Sequence, residues 1–249
     1  GQKTPHATVT EPSLEECPNL PENFAVSPYD ASVLRFEQDQ NYKLYPTTSY
    51  GPDQWRRYRN AYYRLTEAVD AEIGKILDEV TRQGLWKNTV IIFTSDHGDG
   101  NGAHGWNQKT ALYEEVVGVP MIVCLPGGKN AGKVSEAIVN NGIDLMPSIC
   151  DWTGAELPHG RQGVSYKDAA EKGAAGQPFI VTETNFNQTA GTLGWMVRTP
   201  KYKYVLYDKG QYREQLFDMS EDRMEMRNLA VESKYRDVLL EHRAILENW

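Results

Sequence analysis

The residues best suited to chemistry are concentrated in one stretch, from Asp96 to Lys109. Asp96 and His97 follow a short apolar run, and both side-chain types are common metal ligands. His104 and Lys109 lie further along the same stretch. Four glycines follow the Asp-His pair: Gly98, Gly100, Gly102 and Gly105. Because glycine lets a backbone turn sharply and approach a ligand closely, the stretch predicts a loop that folds back on itself. Such a loop would bring His104 and Lys109 back towards the metal-ligand pair.

The apolar run before this loop is the element that must position it. Residues 89–94 are rich in β-branched side chains and show no alternation of polar and apolar positions. This pattern is typical of a strand that is buried on both faces, as in a parallel sheet. In open α/β sheets, ligands bind at the carboxyl ends of the strands. The metal-ligand pair directly follows that end, so the pattern predicts a site at the edge of an α/β sheet.

A long helix is predicted before this strand. It begins at Pro52, which suits the first helical position, and ends at Gly84, which suits a helix terminus. Apolar residues recur at helical spacing from Trp55 to Val80. This spacing gives the helix one apolar face, which we expect to pack against a core.

Three regions are predicted along the chain. Residues 1–50 have many prolines and few periodic apolar positions, so we expect an irregular arm there. Residues 51–190 combine the long helix and the site loop with a second buried strand at 119–124 and a helix at 143–152. Residues 191–249 show short strands separated by turns and then a helical pattern. This last region predicts a small α+β subdomain, with an antiparallel sheet and a C-terminal helix.

Composition excludes some classes of partner. The net charge of −8 argues against a nucleic-acid partner, because phosphate binding needs a basic face. No apolar run approaches the roughly 18 residues of a membrane helix, so we expect no membrane partner. The first residues lack the apolar segment of a secretory signal, and the three cysteines form no disulfide framework.

Several motifs together resemble the C-terminal half of a type I sulfatase, a family of the alkaline-phosphatase-like superfamily. The first is Ser95-Asp96-His97-Gly98-Asp99, followed by Ala103-His104-Gly105-Trp106-Asn107-Gln108-Lys109. Further matches follow in the order of the family, at residues 113–120, 142–149, 198–204, 214–218 and 228–230. The resemblance implies an α/β fold, namely a partial alkaline-phosphatase-like α/β/α sheet followed by a small α+β subdomain.

The resemblance also implies an activity, which is the hydrolysis of organic sulfate esters. In this family a formylglycine hydrate attacks sulfur, and a divalent cation neutralises the sulfate oxygens. Asp96 and His97 would supply two ligands of that metal. Lys109 would bind the sulfate oxygens or the leaving oxygen, and His104 would contact the leaving group. A sulfated carbohydrate as substrate and a periplasmic or extracellular location are further expectations from the resemblance.

The residues and the family resemblance imply different metals. Calcium prefers oxygen ligands, so His97 is an unusual partner for it. An Asp-His pair by itself suggests zinc or manganese. The resemblance implies calcium, and calcium is therefore our expectation.

The motif that carries the formylglycine, Cys or Ser followed by x-Pro-Ser-Arg, does not occur in this sequence. We therefore expect the chain to be the C-terminal portion of a sulfatase, without the formylglycine half and inactive alone. A sheet that lacks its other strands exposes an edge and apolar faces, which predicts self-association of the fragment.

Two alternatives remain open. A metal-dependent phosphoesterase of the same superfamily also uses Asp-His pairs, although the match at residues 105–109 favours a sulfatase. A non-catalytic module that binds an acidic glycan or a partner chain is the other alternative. The lack of a basic, aromatic-rich stretch argues against that module.

Overall fold

The computed structural model describes residues 11–39, 46–186 and 191–249. The architecture is α/β, with helices and two antiparallel sheets. Parts of the predicted arm, residues 1–10 and 40–45, lie outside the described residues. The helices are α1 (Ser32–Gln38), α2 (Pro52–Arg82), α3 (Glu114–Val117), α4 (Asn141–Thr153), α5 (Lys167–Lys172) and α6 (Arg236–Asn248). The strands are β1 (Ile91–Thr94), β2 (Met121–Cys124), β3 (Ile180–Asn185), β4 (Leu193–Arg198), β5 (Tyr202–Tyr207) and β6 (Glu214–Asp218).

Helix α2 begins and ends close to the predicted positions. Pro52 is its first residue, and Gly84, two residues after its end, has a left-handed φ of 67°. The expected packing is confined to the N-terminal part of the helix, because Trp55 is its one buried residue. Three apolar side chains further along α2 are largely exposed. They are Leu65, Val69 and Ile76.

Strands β1 and β2 form a two-stranded antiparallel sheet, with Ile91 opposite Cys124 and Thr94 opposite Met121. The prediction of a parallel arrangement buried on both faces is therefore wrong for this pair. An apolar run reports that a strand is suited to burial, but it carries no information about the direction of its neighbour. Phe93 and Ile122 are 41% and 53% exposed, so one face of this sheet is open in the described part of the chain.

The second sheet confirms the predicted antiparallel meander. Its strand order is β3-β4-β5-β6, and every neighbouring pair is antiparallel. Strand β3 pairs with β4 from Ile180 opposite Arg198 to Asn185 opposite Leu193. The predicted division at residue 190 would separate β3 from the sheet to which it is paired. The division itself stays a prediction.

Each face of this meander carries its own buried cluster. On one face Met196, Val205 and Tyr207 pack with residues of the site loop and of α1, and on the other Val197, Tyr204 and Leu216 pack with α6. Successive residues of one strand, such as Met196 and Val197, thus belong to different clusters, as the two-residue period of a strand requires. The sheet connects the site loop to the C-terminal helix through its side chains.

The arm contains more order than its composition predicts. Residues Ser32–Gln38 form α1, and the side chains of Val33 and Leu34 are buried in the cluster beneath the site loop. A helix of seven residues has little stability of its own, so packing rather than sequence propensity accounts for it. No helix in the described ranges combines the length and apolar character needed to span a membrane.

Candidate metal centre and site loop

Asp96 and His97 lie side by side just beyond the end of β1. The Nε2 atom of His97 is 3.5 Å from Oδ2 of Asp96. Nδ1 of His97 is 2.8 Å from the carbonyl oxygen of Gly98. This contact assigns the proton to Nδ1, because a carbonyl oxygen only accepts hydrogen bonds. The lone pair of Nε2 is then free to bind a metal, as in histidine ligands held by a backbone carbonyl.

The pair faces solvent at the end of the strand. The side chain of Asp96 is 83% exposed and that of His97 is 40% exposed. The backbone N–H of His97 donates to Oδ1 of Asp96 at 2.9 Å, and this hydrogen bond is the main cause of a lowered Asp96 pKa. An ionised carboxylate and a neutral imidazole nitrogen 3.5 Å apart can bind one cation together, so the donor set fits a divalent metal. It supplies two ligands and leaves other coordination positions to other groups.

The glycine-rich loop folds back on itself as predicted. Gly100 N–H donates to the Gln108 carbonyl at 3.1 Å, and Gly102 N–H donates to the Trp106 carbonyl at 2.9 Å. These bonds bring the backbone before Lys109 next to the backbone that follows His97. The Lys109 side chain is exposed. Its contact with a sulfate group stays a prediction.

A carboxylate with no predicted role closes this loop. Asp99 accepts hydrogen bonds from the N–H of Asn101 at 2.7 Å and of Gln108 at 3.1 Å. It also accepts one from the Tyr58 hydroxyl on α2 at 3.1 Å. The available sequence signal is the Asp-Gly-Asn-Gly run, since Asp commonly bonds the backbone two residues on. Nothing in the sequence identifies Tyr58, whose helical spacing predicts a packing residue.

The backbone around Lys109 is strained. Gln108 and Thr110, which flank it, have φ values of 61° and 84°. A positive φ is an outlier for a β-branched residue such as Thr110. Asn101 and His104 in the same loop also have positive φ values, of 47° and 51°. Strain of this kind persists only where surrounding contacts enforce it, and it is common at ligand sites.

His104 is fully buried, in contrast to the other three predicted site residues. Its ring stacks on Tyr113 with centroids 4.1 Å apart, and Nε2 is 3.3 Å from Nδ2 of Asn23. The pKa of His104 is lowered to about 4. Burial is the largest cause, and the nearby cations Arg35 and Lys203 add to it. The imidazole is therefore neutral at pH 7. Its predicted contact with a leaving group stays a prediction, and it would require exposure that the ring lacks here.

One group of three side chains in the described ranges has the spacing of a metal site. It consists of His104, Glu115 and Glu225, whose ligand atoms lie within 4.8 Å of one another. A buried ammonium already supplies a cation there, because Nζ of Lys203 is 2.8 Å from Glu225 and 3.2 Å from Glu114. We therefore assign these groups to a structural cluster.

Two family models match the chain over most of its length. The sulfatase model matches residues 5–155. The chain belongs to the sulfatase family. The model of the C-terminal region of N-sulphoglucosamine sulphohydrolase matches residues 102–248. Membership of the family implies a divalent metal and a formylglycine.

Individual sulfatases match the chain in sequence and in fold. The Delta 4,5-hexuronate-2-O-sulfatase of Bacteroides thetaiotaomicron is 30% identical over 239 residues, covering 93% of this chain and 50% of that protein. The structure of a 2-O GAG sulfatase has a TM-score of 0.83 at 28% identity and covers 100% of this chain and 54% of that one. Another solved structure, bound to its substrate D-glucosamine-2-N,6-O-disulfate, has a TM-score of 0.72 at 28% identity, covering 80% of this chain and 42% of that one.

This sulfatase chain thus spans about half the length of the relatives that it matches, or less. The fold comparison confirms the expected partial alkaline-phosphatase-like architecture of a sulfatase C-terminal portion.

Proposed function

We propose that this chain is the C-terminal portion of a sulfatase that hydrolyses sulfate esters of carbohydrates with the aid of a divalent metal. The observation that carries the proposal is the Asp96–His97 pair, with Oδ2 and Nε2 3.5 Å apart in a chain of the sulfatase family. The formylglycine would lie on the other half of the complete protein. The chain alone would then be inactive, because positioning groups cannot replace a nucleophile.

Three of the candidate residues have a distinct part in this proposal. Asp96 and His97 supply two metal ligands, with calcium as the expected ion and zinc or manganese as the alternatives that the histidine favours. The bound cation would neutralise negative charge on the sulfate oxygens. Lys109 contributes an ammonium group with three donors to the same oxygens. Its neighbour Gln108 is fixed by Asp99, which holds the segment in place.

A sulfated carbohydrate is the substrate class that the relatives favour. One relative is named as a hexuronate sulfatase, and another was solved with a sulfated glucosamine as its substrate. A periplasmic or extracellular location remains the expectation from the family. The particular sugar and the position of its sulfate depend on contacts outside the described loop.

The proposal is tested by removing the ammonium group of Lys109 in the complete protein. Lys109→Ala should lower the rate of 4-nitrophenyl sulfate hydrolysis by roughly 10²–10³-fold, by analogy with the loss of an oxyanion donor. Lys129→Ala is the matched control, since Lys129 is also exposed but lies beyond β2. The pure 249-residue chain should show no more hydrolysis than the same 249-residue chain carrying Lys109→Ala.

The same assay separates the rival functions. Hydrolysis of 4-nitrophenyl phosphate in preference to the sulfate would identify a phosphoesterase. Binding to a sulfated glycan array without hydrolysis by the complete protein would identify a non-catalytic module. Equal activity of the two lysine variants would contradict the assignment of Lys109.

A further inference from the structure

Glu225 lies in the turn region after β6, yet its side chain is buried against α3. Its Oε2 accepts a hydrogen bond from the backbone N–H of Glu114 at 2.6 Å, and its Oε1 is 2.8 Å from Nζ of Lys203. The residue is 2% exposed. Its φ of 55° is left-handed, a conformation that surrounding contacts must enforce in a non-glycine residue. The C-terminal subdomain therefore holds the first turn of α3.

Helix α3 depends on such support. It has four residues, from Glu114 to Val117, which is too short for a helix to be stable by itself. The first N–H groups of a helix have no partner inside the helix. Glu225 provides that partner at Glu114, and its carboxylate also matches the positive end of the helix.

Helix α3 in turn contacts the residue next to the metal-ligand pair. The N–H of Gly98 donates to the Val116 carbonyl at 2.8 Å. A Cβ atom at position 98 would lie 2.0 Å from the Glu115 carbonyl oxygen, so the two backbones are in direct contact. The Gly98 carbonyl accepts the Nδ1–H of His97. The hydrogen bonds of Gly98 thus join α3 to the imidazole ring.

We propose that Glu225 is a positioning residue for Asp96 and His97, acting through α3 and Gly98. The proposal rests on the proposed function, in which these two residues bind the metal. Lys203 on β5 holds the Glu225 carboxylate from the other side. The C-terminal subdomain thereby sets the orientation of a ligand that lies 128 residues earlier in the chain (225 − 97).

Amide hydrogen exchange of the 249-residue chain, followed by NMR, tests this route without any need for activity. Glu225→Asp keeps a carboxylate near Lys203 but shortens its reach to the Glu114 N–H. Glu225→Gln keeps an oxygen acceptor at full reach. We expect Glu225→Asp to lower the protection of the Gly98 amide about tenfold relative to amides of β4, the typical effect of one lost hydrogen bond. Glu225→Gln should restore the ratio.

Glu232→Gln is the matched control, because Glu232 pairs with Arg227 in the same part of the chain. It should leave the Gly98 ratio unchanged. An equal loss of protection at Gly98 and β4 in Glu225→Asp would overturn the proposal and leave Glu225 a purely stabilising role. Unchanged protection at Gly98 would also overturn it. Either result leaves the sulfatase proposal intact, since that proposal is judged by hydrolysis in the complete protein.

Discussion

At the scale of single residues, the surroundings of His104 hold its imidazole neutral. Its pKa is lowered from 6.5 to about 4, chiefly because burial penalises the charged form. The unfolded chain therefore binds more protons at this position than the folded chain between pH 6.5 and pH 4. Stability contributed by this residue is full above pH 6.5 and is lost as the pH falls through that window.

A His104→Asn variant tests this linkage, since Asn tolerates the positive φ of the position. Between pH 7.5 and 4.5 the native chain should lose about 2–3 kcal/mol more stability than the variant, from the difference between the two pKa values. Urea unfolding at both pH values measures the difference. His159→Asn, at an exposed position, is the control. A variant with the same pH dependence as the native chain would disprove a lowered pKa for His104.

Gly98 occupies a position where one close contact leaves no room for a side chain. An added methyl group would overlap the Glu115 carbonyl oxygen. We expect Gly98→Ala to destabilise the chain by about 1–3 kcal/mol, the usual range for overpacking. Gly74→Ala is the control, because nothing lies within 4 Å of its added carbon in the middle of α2. That variant should gain up to about 1 kcal/mol in denaturant unfolding. If both variants changed the free energy of unfolding in the same direction, the close approach of Gly98 to the Glu115 carbonyl would be contradicted.

At the scale of elements, the site loop is a closed unit attached to α2. Asp99 joins two backbone N–H groups of the loop to the hydroxyl of Tyr58. Burial and the nearby Asp99 charge both raise the Tyr58 pKa, so the hydroxyl keeps its proton and remains a donor. The single buried residue of α2, Trp55, lies one turn earlier. Helix α2 therefore supports the loop through its N-terminal part.

Tyr58→Phe removes this attachment while keeping the ring. We expect a loss of about 1.5–3 kcal/mol, typical of a hydrogen bond to a charged acceptor, and faster exchange of the Gln108 amide. Unfolding in urea and hydrogen exchange measure the two effects. Tyr63→Phe, which removes an exposed hydroxyl one turn and a half further along α2, should change neither. A loop that exchanges normally in Tyr58→Phe would show that Asp99 closes it without the Tyr58 hydroxyl.

At the scale of the whole molecule, the described chain leaves apolar side chains open on two elements. Leu65, Val69 and Ile76 of α2 are 68%, 57% and 64% exposed, and Phe93 and Ile122 are exposed on the two-stranded sheet. Exposed apolar surface favours association. The predicted self-association of the fragment stays a prediction, and these side chains give it a physical basis.

Charged substitutions on α2 test that prediction. The unsubstituted chain should form oligomers in light scattering, and a variant with Val69→Lys and Ile76→Lys should shift towards the monomer, because a buried lysine at the contact is costly. Val134→Lys is the control, since Val134 is 94% exposed but lies away from the helix. A sharp monomer peak for the unsubstituted chain at high concentration would contradict the prediction.

The sequence by itself indicated most of the helices and strands and the residues that we propose for the site. Proline and glycine at its ends indicated the bounds of α2, and short strands separated by turns predicted three strands of the meander, β4, β5 and β6. The pairing of β3 with β4 came only from the structure. The glycines of the site loop predicted its fold-back. These features depend on residues close together in the chain, so local conformational preference is enough to predict them.

Only the tertiary structure decided the rest. The antiparallel pairing of β1 with β2, the burial of His104 and the closure of the loop by Asp99 depend on which surfaces meet. The contact between Glu225 and Glu114 joins residues 111 positions apart. The amino-acid sequence gives the chemistry of each side chain but does not identify its partner in the fold. Partners at such separations are fixed by packing of the whole chain, which the local pattern does not contain.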